Sequence, residues 1–138
     1  MTLVDFARRN GYFFRGAQHG ARILEIDGKD HRFELLQLFE FDSDRKRMSV
    51  IVRDSSGVIR LYAKGADVVI KKRLSKEVSQ NFLSKTDAYV DAFSLKGLRT
   101  LLVAMKVISN EEYAEIASQI NAVIDTPNRE EKISKILV

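Results

Sequence analysis

Apolar positions change period several times along this 138-residue chain, and each change marks an element. Leu3, Val4, Phe6 and Ala7 share one helical face, and Asn10-Gly11 closes that helix as a C-cap pair. No N-cap beyond Thr2 is visible, and so abrupt a start points to a chain cut from something longer. Tyr12 to Arg15 predicts a strand, Gly16-Ala17-Gln18 a turn, and Ala21 to Ile26 a second strand. Asp27-Gly28 is a hairpin signal. From His31 to Phe41 the apolar residues Phe33, Leu35, Leu36, Leu38, Phe39 and Phe41 predict a long, mostly buried strand. Met48 to Arg53, a Ser55-Ser56-Gly57 turn and Val58 to Ala63 read as two antiparallel strands.

After Lys64-Gly65 the period lengthens. Val68, Val69, Ile70 and Leu74 suit a helix beginning near Ala66. A second helix, Lys76 to Leu95, has an apolar stripe of Val78, Phe82, Leu83, Tyr89, Val90 and Phe93, and Gly97 breaks it. Leu98 to Ile108 is a strongly apolar strand. Ser109-Asn110-Glu111-Glu112 is an N-cap signature for a helix whose inner face is Tyr113, Ile116, Ile120 and Val123 or Ile124. Thr126-Pro127 interrupts it, and Pro127 at an N1 position starts a last helix with Ile133, Ile136 and Leu137. The expected fold class is α+β: a mostly antiparallel sheet of about six strands flanked by helices, in one domain spanning residues 1–138.

Composition narrows the possible functions. At 45% hydrophobic and 30% charged residues the chain is globular, and its net charge of +4 suits an anionic ligand without marking a strong nucleic-acid binder. No Cys is present, and His19 and His31 are the only imidazoles, which excludes thiolate chemistry and zinc patterns. No apolar run of membrane-spanning length and no signal-peptide pattern occurs. Neither GxxxxGK[ST] nor GxGxxG is found. Asp42, Asp44, Asp54, Asp67, Asp87 and Asp91 are scattered and read as solvated surface, so spacing alone assigns no catalytic residue.

Four places carry positive signals. Phe41 stands at a strand-to-loop junction, where its ring can stack on a planar base or simply continue the core row of Phe33 and Phe39. Arg45-Lys46-Arg47 can face phosphates or form a solvated strand edge. Lys64-Gly65-Ala66 brings an ammonium and helix N-terminal amides together, with Gly65 permitting close approach to the backbone; the plainer reading is an exposed lysine at a turn. Arg99, after Lys96-Gly97-Leu98, can fork onto a phosphate or ribose oxygen or pair with an acidic neighbour.

Three separated segments, Phe41 to Val50, Lys64-Gly65-Ala66-Asp67 and Gly97 to Leu101, resemble in order and spacing the nucleotide-binding (N) domain of P-type ATPases. RKRMSV with KGAD is more similar to the phospholipid-flippase (type IV) class than to the cation pumps, where Pro more often follows KGA. The resemblance covers nearly the whole chain. It implies that Phe41 stacks on adenine, Lys64 lies at the inner end of the pocket, Arg99 reaches the phosphates, Lys46 is a second pocket lysine and Met48 lines the adenine site. Ser43 has no implied contact. The departures are Lys96, where an acidic residue is common, and the absence of DKTGT, TGD, GDGxND and an acidic residue expected just before the first helix.

The resemblance therefore implies a domain that binds ATP and hydrolyses nothing alone. In a complete enzyme, with Mg, it presents the γ-phosphate to the aspartate of a phosphorylation domain. Its expected partners are ATP and the phosphorylation and actuator domains of the same chain, not nucleic acid. It faces the cytoplasm and meets a membrane only through the parent chain. Two rival readings remain: a basic α+β interaction domain binding nucleic acid or an acidic protein surface through Arg45-Lys46-Arg47, and a self-contained nucleotide hydrolase.

Overall fold

The structure, a computed structural model, describes residues 2–136. Among them the order is α1 (Leu3–Arg9), β1 (Tyr12–Gln18), β2 (Ala21–Ile26), β3 (Lys29–Asp42), β4 (Arg47–Asp54), β5 (Ile59–Gly65), α2 (Asp67–Lys71), α3 (Gln80–Leu95), β6 (Leu102–Ile108), α4 (Asn110–Val123) and α5 (Arg129–Ile136). The six strands form one antiparallel sheet in sequence order, β1 to β6, so the expected α+β class holds.

Local chemistry explains most boundaries. Thr2, the one N-cap visible in the sequence, forms a complete capping box on α1 with Asp5. Gly16 is not in a turn. It sits at a bulge in β1, where Arg15 is the extra residue between the Phe14–Leu24 and Gly16–Ile23 pairs, and the strand continues to Gln18. The turn moves to His19-Gly20. Asp27 and Gly28 both have positive φ, 52° and 75°, as a primed two-residue hairpin turn requires. Ser109 and Glu112 cap α4 as expected. Pro127 is not the first residue of a helix: Asn128, at φ 59°, intervenes, and α5 opens at Arg129. Ile133 and Ile136 are half-buried, and Leu137 lies outside the described residues.

The chain divides into two compact units. The first comprises Met1–Leu38, Val50–Leu61 and Val107–Val138, and its core is Ala21, Ile23, Ile51, Ile59, Ile108 and Ile120. The second comprises Phe39–Ser49 and Tyr62–Lys106, and its buried apolar residues are Phe39, Ile70 and Val90. All five residues singled out as site candidates belong to this second unit.

Within the second unit, Lys71 joins the helices by pairing with Asp67 at 3.7 Å and Asp87 at 2.5 Å. α3 is shorter than the apolar pattern predicts. Ser79 caps it, so Lys76 to Ser79 precede the helix. Its inward line is Leu83, Thr86 and Val90, while Phe82, Tyr89 and Phe93 stand on the surface. The expected stripe was too wide: positions three, four and seven apart fit two neighbouring faces, and only one meets the core. β6 also starts later than predicted. Leu98 to Leu101 are outside it, and Val103 and Met105, which alternate with the half-buried Leu102 and Ala104, lie exposed on one face of the strand.

Candidate functional site

In an antiparallel sheet, the C-terminal end of one strand lies beside the N-terminal end of the next. The ends of β3 and β5 and the starts of β4 and β6 therefore fall along one end of the sheet. Phe41 is at the end of β3, Lys46 and Met48 at the start of β4, Lys64 at the end of β5, and Arg99 in the segment leading into β6. The topology thus collects all five candidates at one rim.

Phe41 is not a core residue. It is 66% exposed, whereas Phe39, two positions earlier on the same strand face, is 3% exposed. The core row stops at Phe39, and the last aromatic ring is exposed.

The 42–46 loop is shaped by Asp42. One carboxylate oxygen of Asp42 accepts the backbone N–H groups of Asp44 at 2.6 Å and Arg45 at 3.1 Å. Its carbonyl accepts the N–H of Lys46 at 2.7 Å. The two side-chain-to-backbone bonds hold the Asp42 carboxyl below the usual carboxylate range, with the Arg45 charge adding to them. Lys46 takes φ 51° and is exposed.

Beyond this loop β4 meets β5. The N–H of Ala66 donates to the carbonyl of Lys46 at 3.1 Å. That bond flanks a non-hydrogen-bonded pair of Arg47 with Gly65, in which side chains approach most closely. A Cβ on Gly65 would lie 2.5 Å from the Lys46 oxygen and 2.6 Å from the Arg47 Cβ. The close approach expected at Gly65 is thus made by the protein itself. One residue along, alternation sets Met48 opposite Lys64 on the other face, both half-buried.

The expected helix amides contribute little. Ala66 spends its N–H on Lys46, and α2 has only five residues. Arg99 follows a Schellman closure of α3, in which Gly97, at φ 70°, donates to Ser94 at 2.9 Å and Leu98 donates to Phe93 at 3.1 Å. Arg99 is exposed. Among the described residues, Lys46, Lys64 and Arg99 form no ion pair, so three cationic heads at this rim remain available to an anion.

Comparison with known proteins decides the family. The description "P-type ATPase, cytoplasmic domain N" matches residues 1–138. The chain belongs to this family. The N domain is 40% identical over 136 residues to the phospholipid-transporting ATPase DNF1 of Chaetomium thermophilum, an alignment covering 98% of this chain and 9% of that protein. It is 38% identical over 136 residues to the phospholipid-transporting ATPase C4F10.16c of Schizosaccharomyces pombe, covering 98% of this chain and 10% of that protein. The chain therefore spans about a tenth of the length of these relatives.

The N domain departs from sequence reasoning most clearly in its basic triplet. Arg45 and Arg47 are 8% and 5% exposed, so they are not a solvated strand edge. The Arg45 guanidinium lies 5.6 Å from the Phe39 ring centre, and its Nε and Nη2 have no hydrogen-bond partner among the described residues. Arg47 donates from Nη1 to the Arg45 carbonyl at 3.3 Å. Burial, then the charges of Arg73 and Arg45, pull the Arg47 pKa down to about 10, so it stays protonated at neutral pH. Strand alternation beginning at Arg47, with Ser49 and Ile51 also buried, is the signal that could have marked Arg47 as inward-facing.

Proposed function

We propose that this N domain binds ATP for a phospholipid-translocating P-type ATPase and presents the γ-phosphate to the aspartate of a separate phosphorylation domain. The observation that carries the reading is the exposed Phe41 ring at the same sheet rim as three cations without ion pairs among the described residues. Adenine stacks on Phe41 beside Met48. Lys64 stands at the inner end of the pocket, and Lys46 and Arg99 attract the phosphates. The phospholipid-transporting relatives support the coupling to lipid movement. In that setting the domain is on the cytoplasmic side of an integral membrane enzyme, its partners are the phosphorylation and actuator domains, and the parent chain supplies the ATP hydrolase activity.

Magnesium belongs to the complete enzyme in this reading. Among the described residues no three His, Cys, Asp or Glu side chains gather to hold a metal, and no step is assigned to one. The polyanion-binding alternative loses two of its three cations, because Arg45 and Arg47 are buried.

Titration with ATP, AMP and adenosine, followed by backbone amide shifts, tests the reading. Shifts concentrated around Phe41, Lys64 and Arg99, with weak affinity and modest salt dependence, are expected. Shifts elsewhere, or none, overturn the pocket assignment. Steep weakening with salt favours polyanion binding. Substantial Mg-dependent phosphate release by the pure chain overturns the binding-only role.

A further inference from the structure

Lys46 is an exposed side chain between two buried ones, Arg45 and Arg47. Its backbone is left-handed, φ 51°, a conformation that disfavours residues with a Cβ. Something must hold it there. On one side, the Lys46 carbonyl is fixed by the N–H of Ala66. On the other, three successive N–H groups, those of Asp44, Arg45 and Lys46, converge on Asp42: two on its carboxylate and one on its carbonyl. The carboxylate contacts resemble those of an Asx turn, in which a side chain replaces a backbone acceptor.

We propose that Asp42 is a positioning residue for nucleotide binding and acts through Lys46. Its side chain curls the loop so that the Lys46 ammonium is held at the rim while the flanking arginines anchor in the interior. The proposal rests on the ATP-binding reading of Lys46. The role is geometric, since a negative charge near a phosphate site opposes binding unless donors neutralise it, and here two N–H groups do so. An amide oxygen serves as well. The alternative, a carboxylate that merely stabilises the loop with no bearing on ligand, makes a different prediction.

The test measures ATP and adenosine affinity for the wild-type chain, Asp42→Asn, Asp42→Ala and Asp42→Glu. Asp42→Asn keeps the acceptor and is expected to stay within about twofold of wild type for both ligands. Asp42→Ala loses the acceptor and is expected to bind ATP about fivefold more weakly, with adenosine affinity unchanged. Asp42→Glu keeps the charge but overshoots the two N–H groups, so it is expected to follow Asp42→Ala and gives the same test if the alanine variant does not fold. Undiminished ATP affinity in both Asp42→Ala and Asp42→Glu overturns the proposal while leaving the nucleotide reading intact. Equal losses for ATP and adenosine assign Asp42 a general structural role and also overturn it. If the wild type binds no ATP, the nucleotide reading fails first and takes the proposal with it.

Discussion

The Cβ that Gly65 lacks would stand 2.5 Å from the carbonyl oxygen of Lys46. Gly65 is also the one glycine of the seven without a left-handed φ. The chain therefore uses glycine here for space, so that β5 can close on β4 and hold the Lys64 strand against the Lys46 loop.

Gly65→Ala is expected to lower stability by about 1–3 kcal/mol, because the atoms in its way are backbone and the root of Arg47 rather than a flexible side-chain end. Gly57→Ala is the control. Its Cβ meets nothing within 4 Å, and only the backbone strain at φ 83° remains, roughly 1 kcal/mol. Urea denaturation of both variants checks the ranking. A Gly65 variant no worse than the Gly57 variant contradicts the packing account.

Phe39 and Phe41 are expected to separate stability from binding. Phe39→Ala empties a buried site and should cost about 3–5 kcal/mol in unfolding free energy. Phe41→Ala should leave the unfolding midpoint nearly unchanged and weaken adenosine binding by about 1–3 kcal/mol. Calorimetric titration beside thermal melts measures both. A large stability loss at Phe41 with adenosine affinity intact contradicts the stacking role of this ring.

Arg45 carries two buried nitrogens without hydrogen-bond partners among the described residues, which makes its charge a cost. Arg45→Met keeps the apolar stem and removes the charge, so stability is expected to stay within about 1 kcal/mol of wild type or to rise. Arg45→Ala removes the stem from beside Phe39 and is expected to be clearly less stable than the methionine variant. The idea fails if both variants lose stability equally, because the charge itself would then be what matters.

Asp54 predicts a pH dependence. Hydrogen bonds from Ser56 and Arg60, aided by the backbone of Val58 and Ser56, hold its carboxyl far below the usual range. A depressed native pKa means that the ionised form is stabilised by folding. That stability is present above the unfolded pKa of about 3.9 and is lost as pH falls towards the native value. Denaturation from pH 6 down to pH 3 should show a smaller loss for Asp54→Asn than for wild type. Parallel curves would mean that Asp54 gains nothing from these partners on folding.

Local signals made much of the architecture legible. Asp27-Gly28, the Ser109–Glu112 box and Gly97 need only neighbouring residues to act, so each was readable and each stands where expected. The errors arose where a distant partner decides. Gly16 looks like a turn, but pairing with β2 makes it part of a bulge. Phe82, Tyr89 and Phe93 look like core, yet which face of a helix is buried depends on what packs against it.

For the site, the sequence by itself determined the residue types, their order and the family, because motifs are linear and survive without coordinates. It left two readings open at Phe41, since a ring at a strand end is compatible with core or platform. Tertiary structure removed the core reading by leaving the Phe41 ring exposed, and it decided the fate of the basic triplet: one cation faces solvent and two are buried. It also supplied the pairing of Gly65 with Arg47 and the convergence of three N–H groups on Asp42. The reason is physical: exposure and close backbone approach depend on which strands lie side by side, and no local pattern specifies both partners at once.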